Sequence, residues 1–394
     1  MAHRLIVAVI GAMLLLGPAA GRTQSMISLD RELAPVRERY GLPALAAAAV
    51  KDGKTVAAGA VGTRRAGTDT PVTLQDRFHI GSDTKAMTAL LCAMLVEEGK
   101  LSWNSTLGEL YPELLDKMSP GVKDITIEQL LSHTSGIPGD RDDLLPIVSF
   151  SLSDPLVNLD VMRATVMARL VAVKLSAPPG RHWEYSNLGY TVAGAITEKL
   201  TGRTWEELVV QRIFDPLKLS TAGFGPQSTM GRVDAPLGHL FDKDGKLQAL
   251  LAGPFGDNPA IIGPAGTVHM SVLDFATWAA WNASDGRIGP PLARPETVRK
   301  LMTKLVDMPP LPNAPIGTPP PGGYGLGWGT VKLPFASEPL VFHGGSNTMN
   351  LAYIMLQPSR QFGMVMMTNV SGRQADDALK SVGEMLYKRF SLTP

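Results

Sequence analysis

Cysteine is almost missing from this 394-residue chain: Cys92 stands alone. An internal disulfide is therefore excluded. An excess of one charge is missing too. Lys and Arg number 37 against 36 Asp and Glu, a formal net charge of +1, and no basic run stands out. Neither nucleic acid nor an anionic membrane has a patch to recognise. The apolar run Leu5–Leu16 is short for a spanning helix. Metal-ligand spacing such as H-E-x-x-H does not occur, so no metal is expected and no cofactor is implied. There is no G-x-S-x-G either, which excludes the α/β-hydrolase elbow. Gly53-Lys54-Thr55 looks like part of a phosphate loop, but the first glycine of that motif would fall on Ala48.

What is present is ordinary globular material, 44% apolar and 19% charged, enough for a core spread over two subdomains. His3 and Arg4 precede the run Leu5–Leu16, and the small residues Ala19 and Gly21 follow it. Residues 1–21 thus read as a signal peptide, with a periplasmic or secreted product and no stable membrane span after cleavage. Cys92 falls inside an apolar helix and reads as a small core residue.

Beyond the leader, "SLDRELAPVRERYG" has the pattern of an amphipathic helix. "ALAAAAVKDGKTVAAGAVG" reads as a hairpin turning at Asp52-Gly53. From Ser82 to about Gly202 the pattern is mainly helical. "DMPPLPNAPIGTPPPGG" is Pro-rich and reads as loop. "YGLGWGTVKL", "PLVFHGGS", "NLAYIMLQP" and "FGMVMMTNV" read as strands, and "QADDALKSVGEMLYKRF" as a closing helix. Strand signals sit at both ends and helices in the middle. The expectation is an α/β (α+β) fold: an antiparallel sheet from both termini, flanked by helices, with an inserted all-α subdomain. Residues 26–80 plus 263–394 would form the sheet domain and 81–262 the helical one, with the site in the cleft between them.

Three short stretches carry chemistry. Ser82 and Lys85 share one helix face at i and i+3, so the lysine nitrogen can reach the serine oxygen. A serine at a helix start ordinarily caps it, and a lysine nearby is ordinarily solvated. Here the Ser-x-x-Lys occurs once in the chain and opens its most apolar helix, where an unpaired lysine is costly. Burial lowers the pKa of a lysine and makes it a plausible base for a serine nucleophile. Tyr185-Ser186-Asn187, the single Tyr-x-Asn, lies just before another helix. A phenol near Lys85 could relay protons and the amide could bind an acyl carbonyl. The alternative is that Tyr185 packs and Asn187 caps. His343-Gly344-Gly345 falls at a strand end, where glycine permits close backbone approach or a hairpin bulge.

Together the three stretches resemble the serine β-lactamase and penicillin-binding-protein superfamily, in its class C β-lactamase-related branch of DD-carboxypeptidases and esterases. "LLSHTSGIPG", "PAGTVHMSVLDFATW" and "YGLGW" add to the likeness, which spans nearly the whole mature chain. The resemblance implies a β-lactamase/transpeptidase-like fold with the site between its two parts. It implies Ser82 as nucleophile, Lys85 and Tyr185 sharing base and acid duty, and Asn187 on the substrate's acyl side. The backbone N–H groups of Ser82 and Ser346 would form the oxyanion hole, and His343 and Gly345 would shape the far wall. His343 departs from the usual lysine and Gly344 from the usual threonine, which weakens a claim of efficient β-lactamase activity. His133, in "HTSG", reads as a structural turn residue, and His79, His182, His239 and His269 look scattered.

The reading is a serine hydrolase cleaving an ester or amide of a small molecule or peptide through an acyl-enzyme on Ser82. A true β-lactamase or DD-carboxypeptidase is the alternative within that chemistry. A non-catalytic penicillin-binding or sensor protein is the alternative of another class, and the intact Ser82, Lys85, Tyr185 and Asn187 argue against it. Sequence fixes no oligomeric state.

Overall fold

The computed structural model describes residues 25–139, 159–253, 256–310 and 322–391. The leader expected at residues 1–21 lies outside them. Strands β1 (Ile27–Ser28), β2 (Ala44–Lys51), β3 (Lys54–Gly62) and β4 (Arg77–His79) come first. The middle of the chain gives β5 (Gly223–Phe224), β6 (Gly238–Phe241), β7 (Leu247–Leu250) and β8 (Val268–Ser271). Then come β9 (Val306–Met308), β10 (Gly322–Tyr324) and β11 (Gly329–Val331). Last are β12 (Leu340–Ser346), β13 (Leu351–Gln357) and β14 (Phe362–Thr368). The helices named below are α1 (Asp30–Arg39), α2 (Lys85–Glu97), α3 (Leu159–Leu170) and α4 (Asn187–Thr201). They are followed by α5 (Trp205–Val209), α6 (Val272–Ala283) and α7 (Arg373–Phe390).

Nine strands form one sheet in the order β1-β3-β2-β14-β13-β12-β11-β10-β9, antiparallel except for β1 against β3. This is the expected mixed α/β architecture, with the sheet drawn from both ends of the chain. The β2–β3 hairpin turns at Asp52 and Gly53, with φ of 49° and 75°. Strands β2, β13 and β14 are almost continuously apolar because both faces of the sheet are covered. Ala46, Ala48, Val50, Ile354, Val365 and Met367 face the core that contains α6. Their alternate neighbours Leu45, Ala47, Ala49, Met355, Met364 and Met366 face the core that contains α7.

Helix α2 is buried at every residue from Lys85 to Leu95, so it is apolar all round rather than on one stripe. Cys92 is part of that core, and burial pushes its thiol up to about 12. Among the described residues no helix is long and apolar enough to cross a membrane.

Two local expectations change. The Pro-rich stretch read as loop is strand at both ends, because β9 and β10 pair antiparallel with Met308 opposite Gly322. Beyond the helical pattern of Ser82 to about Gly202, but inside the 81–262 segment assigned to the helical domain, β6 and β7 form a hairpin. Its turn is closed by Asp242, whose carboxylate accepts from the N–H groups of Asp244 and Lys246 at 2.9 Å each.

Candidate active site

Ser82 lies on a single 3-10 turn, Gly81–Thr84, that runs directly into α2. The turn is tied at both ends. Gly81 N donates to His79 Nδ1 at 3.0 Å. Thr84 Oγ1 donates to Gly81 O at 2.7 Å and accepts from Val268 N of β8 at 3.2 Å. Its fixed geometry therefore comes from side-chain and sheet contacts rather than from a helix cap.

Lys85 is fully buried, yet its charge is well served. Nζ donates to Ser82 Oγ at 3.0 Å, Asn187 Oδ1 at 2.7 Å and Ala265 O at 2.8 Å. An ammonium carries three N–H donors, and three acceptors are in place. Nζ also lies 4.7 Å from the Tyr185 ring centroid and 5.4 Å from that of Tyr190. Such cation–π contacts offset part of the desolvation cost. The carbonyl of Ala265 belongs to the stretch "PAGTVHM", whose Pro264 O accepts from Thr88 Oγ1 at 2.6 Å.

Tyr185 and Asn187 flank Ser186, which caps α4 by accepting from Gly189 N at 3.1 Å. The "HTSG" segment holds this loop. Ser186 N donates to His133 Nδ1 at 3.1 Å, Glu184 N to His133 O at 2.8 Å, and Ser186 Oγ to Pro138 O at 2.9 Å. His133 is a turn residue with φ of 61°, as its context suggests. It is also more than that, because its ring packs 4.4 Å from Tyr185, 5.1 Å from Tyr190 and 4.9 Å from Tyr324. Burial, then the charge of Lys85, holds His133 well below the ordinary histidine range.

The third stretch is the end of β12. His343 is fully buried beneath the site. Its Nδ1 faces Gly344 O at 3.0 Å and its Nε2 faces Tyr324 OH at 3.0 Å. A carbonyl only accepts, so Nδ1 carries the proton and Nε2 receives the tyrosine O–H. Burial and the Lys85 charge push the imidazole down to about 3, and the ring is neutral. Asp83, buried beside it, has its nearest oxygen 3.7 Å from His343 Nδ1. Neither Asp83 oxygen has a hydrogen-bond partner, and burial raises its carboxyl well above the carboxylate range.

Gly345 is where the strand meets the nucleophile turn. A Cβ there would stand 1.9 Å from Ile80 O and 2.5 Å from Ser82 N. A Cβ on Gly81 would stand 2.3 Å from Ser346 N. The backbone of Ser346 therefore runs alongside the turn that carries Ser82. All the residues singled out in the sequence come together here: Ser82, Lys85, Tyr185, Asn187, His343, Gly345 and Ser346.

Several neighbours escape a sequence reading. His79 Nε2 lies 2.9 Å from Asp257 Oδ1, close but off the line of a good ring hydrogen bond. Asp257 Oδ1 also accepts from Asn347 Nδ2 at 2.9 Å. Arg163 reaches Glu198 at 2.5 Å and Glu206 at 2.6 Å, and donates to Ala260 O at 3.0 Å. None of these lies within a short motif. In the sequence His79 reads only as one of the scattered histidines.

Known proteins resemble this chain over most of its length. The protein called flp from Staphylococcus aureus strain N315 is 23% identical over 371 residues, which is 93% of this chain and 68% of that relative. The octameric penicillin-binding protein homologue from Pyrococcus abyssi superposes with a TM-score of 0.71 at 27% identity, covering 91% of this chain and 77% of that one. The D-alanine carboxypeptidase AmpC from Burkholderia cenocepacia shares the fold, with a TM-score of 0.66 at 22% identity over 91% of this chain and 97% of that one. A family model described as Beta-lactamase matches residues 29–385, and the chain belongs to that family of serine hydrolases and penicillin-binding proteins.

Proposed function

We propose that the protein hydrolyses an ester or amide through an acyl-enzyme on Ser82. The observation that carries this reading is the Lys85 nitrogen, 3.0 Å from Ser82 Oγ and 2.7 Å from Asn187 Oδ1 in a buried setting. Ser82 gives its proton to the Lys85–Tyr185 pair as Oγ bonds to the substrate's carbonyl carbon. The carbonyl electrons move onto oxygen, and the backbone N–H groups of Ser82 and Ser346 receive that oxyanion. The pair returns the proton to the leaving oxygen or nitrogen as its bond to carbon breaks. Water then attacks the acyl-enzyme by the same proton route and frees Ser82. As a triply bonded ammonium, Lys85 holds its charge over the Tyr185 ring, 4.7 Å from the centroid. Asn187 holds the acyl side of the substrate.

His343 shapes substrate choice. A neutral, buried imidazole with both nitrogens engaged offers no charge to a substrate carboxylate. Losing one such charge contact costs about 1–3 kcal/mol, roughly one to two decades in kcat/KM. Small uncharged esters are therefore turned over faster than penicillins or cephalosporins. We place the mature chain in the periplasm or outside the cell, after loss of residues 1–21. Mass spectrometry should find an N-terminus near Arg22, and an intact Met1 would favour a retained anchor.

The test is one preparation assayed on p-nitrophenyl esters, a chromogenic cephalosporin and a D-Ala-D-Ala peptide, beside Ser82→Ala. Ester turnover that vanishes in the variant supports the reading. A cephalosporin with higher kcat/KM than any short-chain ester would make β-lactamase the better description. One stoichiometric burst without turnover on every substrate would favour the non-catalytic sensor.

A further inference from the structure

One buried carboxylate, Asp257, touches both walls of the site without being part of either. On one side stands His79. Its Nδ1 accepts the Gly81 N–H at 3.0 Å, and a backbone N–H can only donate. Nδ1 therefore carries the lone pair, and the ring proton sits on Nε2. That nitrogen faces Asp257 Oδ1 at 2.9 Å, with both side chains buried, at 0% and 3% exposure. On the other side stands Asn347, the residue after Ser346, whose Nδ2 donates to the same Oδ1 at 2.9 Å. The neighbouring Asn258 donates through Nδ2 to Gly266 O at 2.7 Å, one residue past the carbonyl that receives Lys85. His269, opposite His79 in the β4–β8 register, has its Nδ1 on Gly225 O at 2.9 Å.

We propose that Asp257 and His79 are positioning residues that set the tautomer of one histidine so that the nucleophile turn and the end of β12 keep a fixed spacing. Which nitrogen of a neutral imidazole is protonated is decided by the partner of the other. A carboxylate accepts only, so its charge 2.9 Å away favours the proton on Nε2, even off the line of a good ring hydrogen bond, and leaves Nδ1 free for Gly81. An imidazolium, or the other tautomer, would set an N–H against the Gly81 N–H. Through Asn347 the same oxygen locates the backbone of Ser346. The two N–H groups assigned to the oxyanion hole thus share one reference point. The inference rests on the reading of Ser82 as nucleophile.

Asp257→Asn is the informative change, because it replaces the charged Oδ1 that faces Nε2 and accepts from Asn347 Nδ2 and Asn258 N with a neutral amide oxygen, which holds the ring proton on Nε2 less firmly. Two quantities are read. The first is the nitrogen chemical shifts of the His79 ring, assigned against His79→Gln, which report the tautomer without any activity. The wild type should show Nε2–H alone, and Asp257→Asn should show a fraction of Nδ1–H beside it. The second is kinetics on a p-nitrophenyl ester. Asp257→Asn should lose about 10- to 100-fold in kcat, with KM within about twofold, since alignment rather than binding is disturbed. Asn347→Ala should lose kcat while His79 keeps its tautomer, and it stands in if Asp257→Asn does not fold. A wild-type His79 protonated on Nδ1 would overturn the proposal, and so would Asp257→Asn or Asn347→Ala with unchanged kcat. Ser82→Ala separates the two levels. If that variant still turns over, the nucleophile assignment fails whatever the tautomer. If it is dead while Asp257→Asn is fully active, only the positioning proposal fails.

Discussion

Lys85 and Asn187 are the first residues of two different helices, α2 and α4, and their side chains meet at 2.7 Å. Two helix N-termini thus open onto one small space, and each favours negative charge there. Lys85 links that space to Ser82, and Tyr185 stands over its ammonium. If lysine and tyrosine move one proton between them, their losses must overlap. Lys85→Ala and Tyr185→Phe should each lower kcat by about two to four orders of magnitude, the range for a positioned general acid or base. The double variant should be little worse than the poorer single one. Losses that multiply, measured by steady-state kinetics on one ester, would show independent roles.

Gly345→Ala should abolish turnover. The added Cβ would stand 1.9 Å from a backbone oxygen and 2.5 Å from the Ser82 nitrogen, and neither can swing away as a side chain can. Strand β12 must then separate from the nucleophile turn. A fluorophosphonate labelling rate within about tenfold of wild type would contradict this, since displaced oxyanion donors cost about 100- to 1000-fold each.

Acid should loosen the fold from one side of the site. His343 titrates at about 3 in the folded chain, and His133 is held well below the ordinary value of 6.5. The unfolded chain takes up protons that the folded one refuses. Their contribution is therefore fully present above about pH 6.5 and is lost as pH falls toward about 3. Asp83 works in the opposite sense. Its raised carboxyl stabilises the fold below the ordinary 3.8, and that contribution is lost as pH climbs through the raised value. His239 and His269 are also pushed down by burial, and they add to the first effect. The urea midpoint should drop from pH 7 to pH 4, and His343→Gln should make the slope shallower. A midpoint that rises on acidification would reverse the balance argued here.

Arg163→Met should cost about 3–5 kcal/mol, because it strands the carboxylates of Glu198 and Glu206 without their partner. Arg163 has no exposure, and Glu198 and Glu206 have 8% and 15%. Its further bond to Ala260 O makes the loss reach the segment that ends at Ala265. Urea unfolding checks the cost, and a loss below about 1 kcal/mol would mark the cluster as a surface-like pair.

The frame of this fold was legible because its signals are local. Ala44–Val50 and Lys54–Gly62 form a hairpin legible from two short, largely apolar runs on either side of the Asp52-Gly53 turn. Ser82 and Lys85 were legible for the same reason, since three residues on a helix fix their distance. The β6–β7 hairpin carries an Asp-Lys-Asp-Gly turn, a local signal of the same kind, in a stretch for which no strand was read. Long-range partners left no trace. Asp257 meets His79 and Asn347 only because β4, β12 and the loop before Ala265 converge, and no periodicity encodes that meeting. His133 was legible as a turn but not as the ring under Tyr185, because stacking depends on three elements arriving together.

Among the hydrogen-bond acceptors of Lys85 is a main-chain carbonyl, that of Ala265, and this sets what substitution can reach. Every residue has a carbonyl, so no exchange of side chain at position 265 deletes the contact. Random point variants of Ser82 or Asn187 remove a partner outright, whereas variants at 265 act only by shifting the chain. In a saturation library selected for ester turnover, tolerance at 265 should follow side-chain volume, and one-residue insertions or deletions between 257 and 265 should be as damaging as loss of the nucleophile.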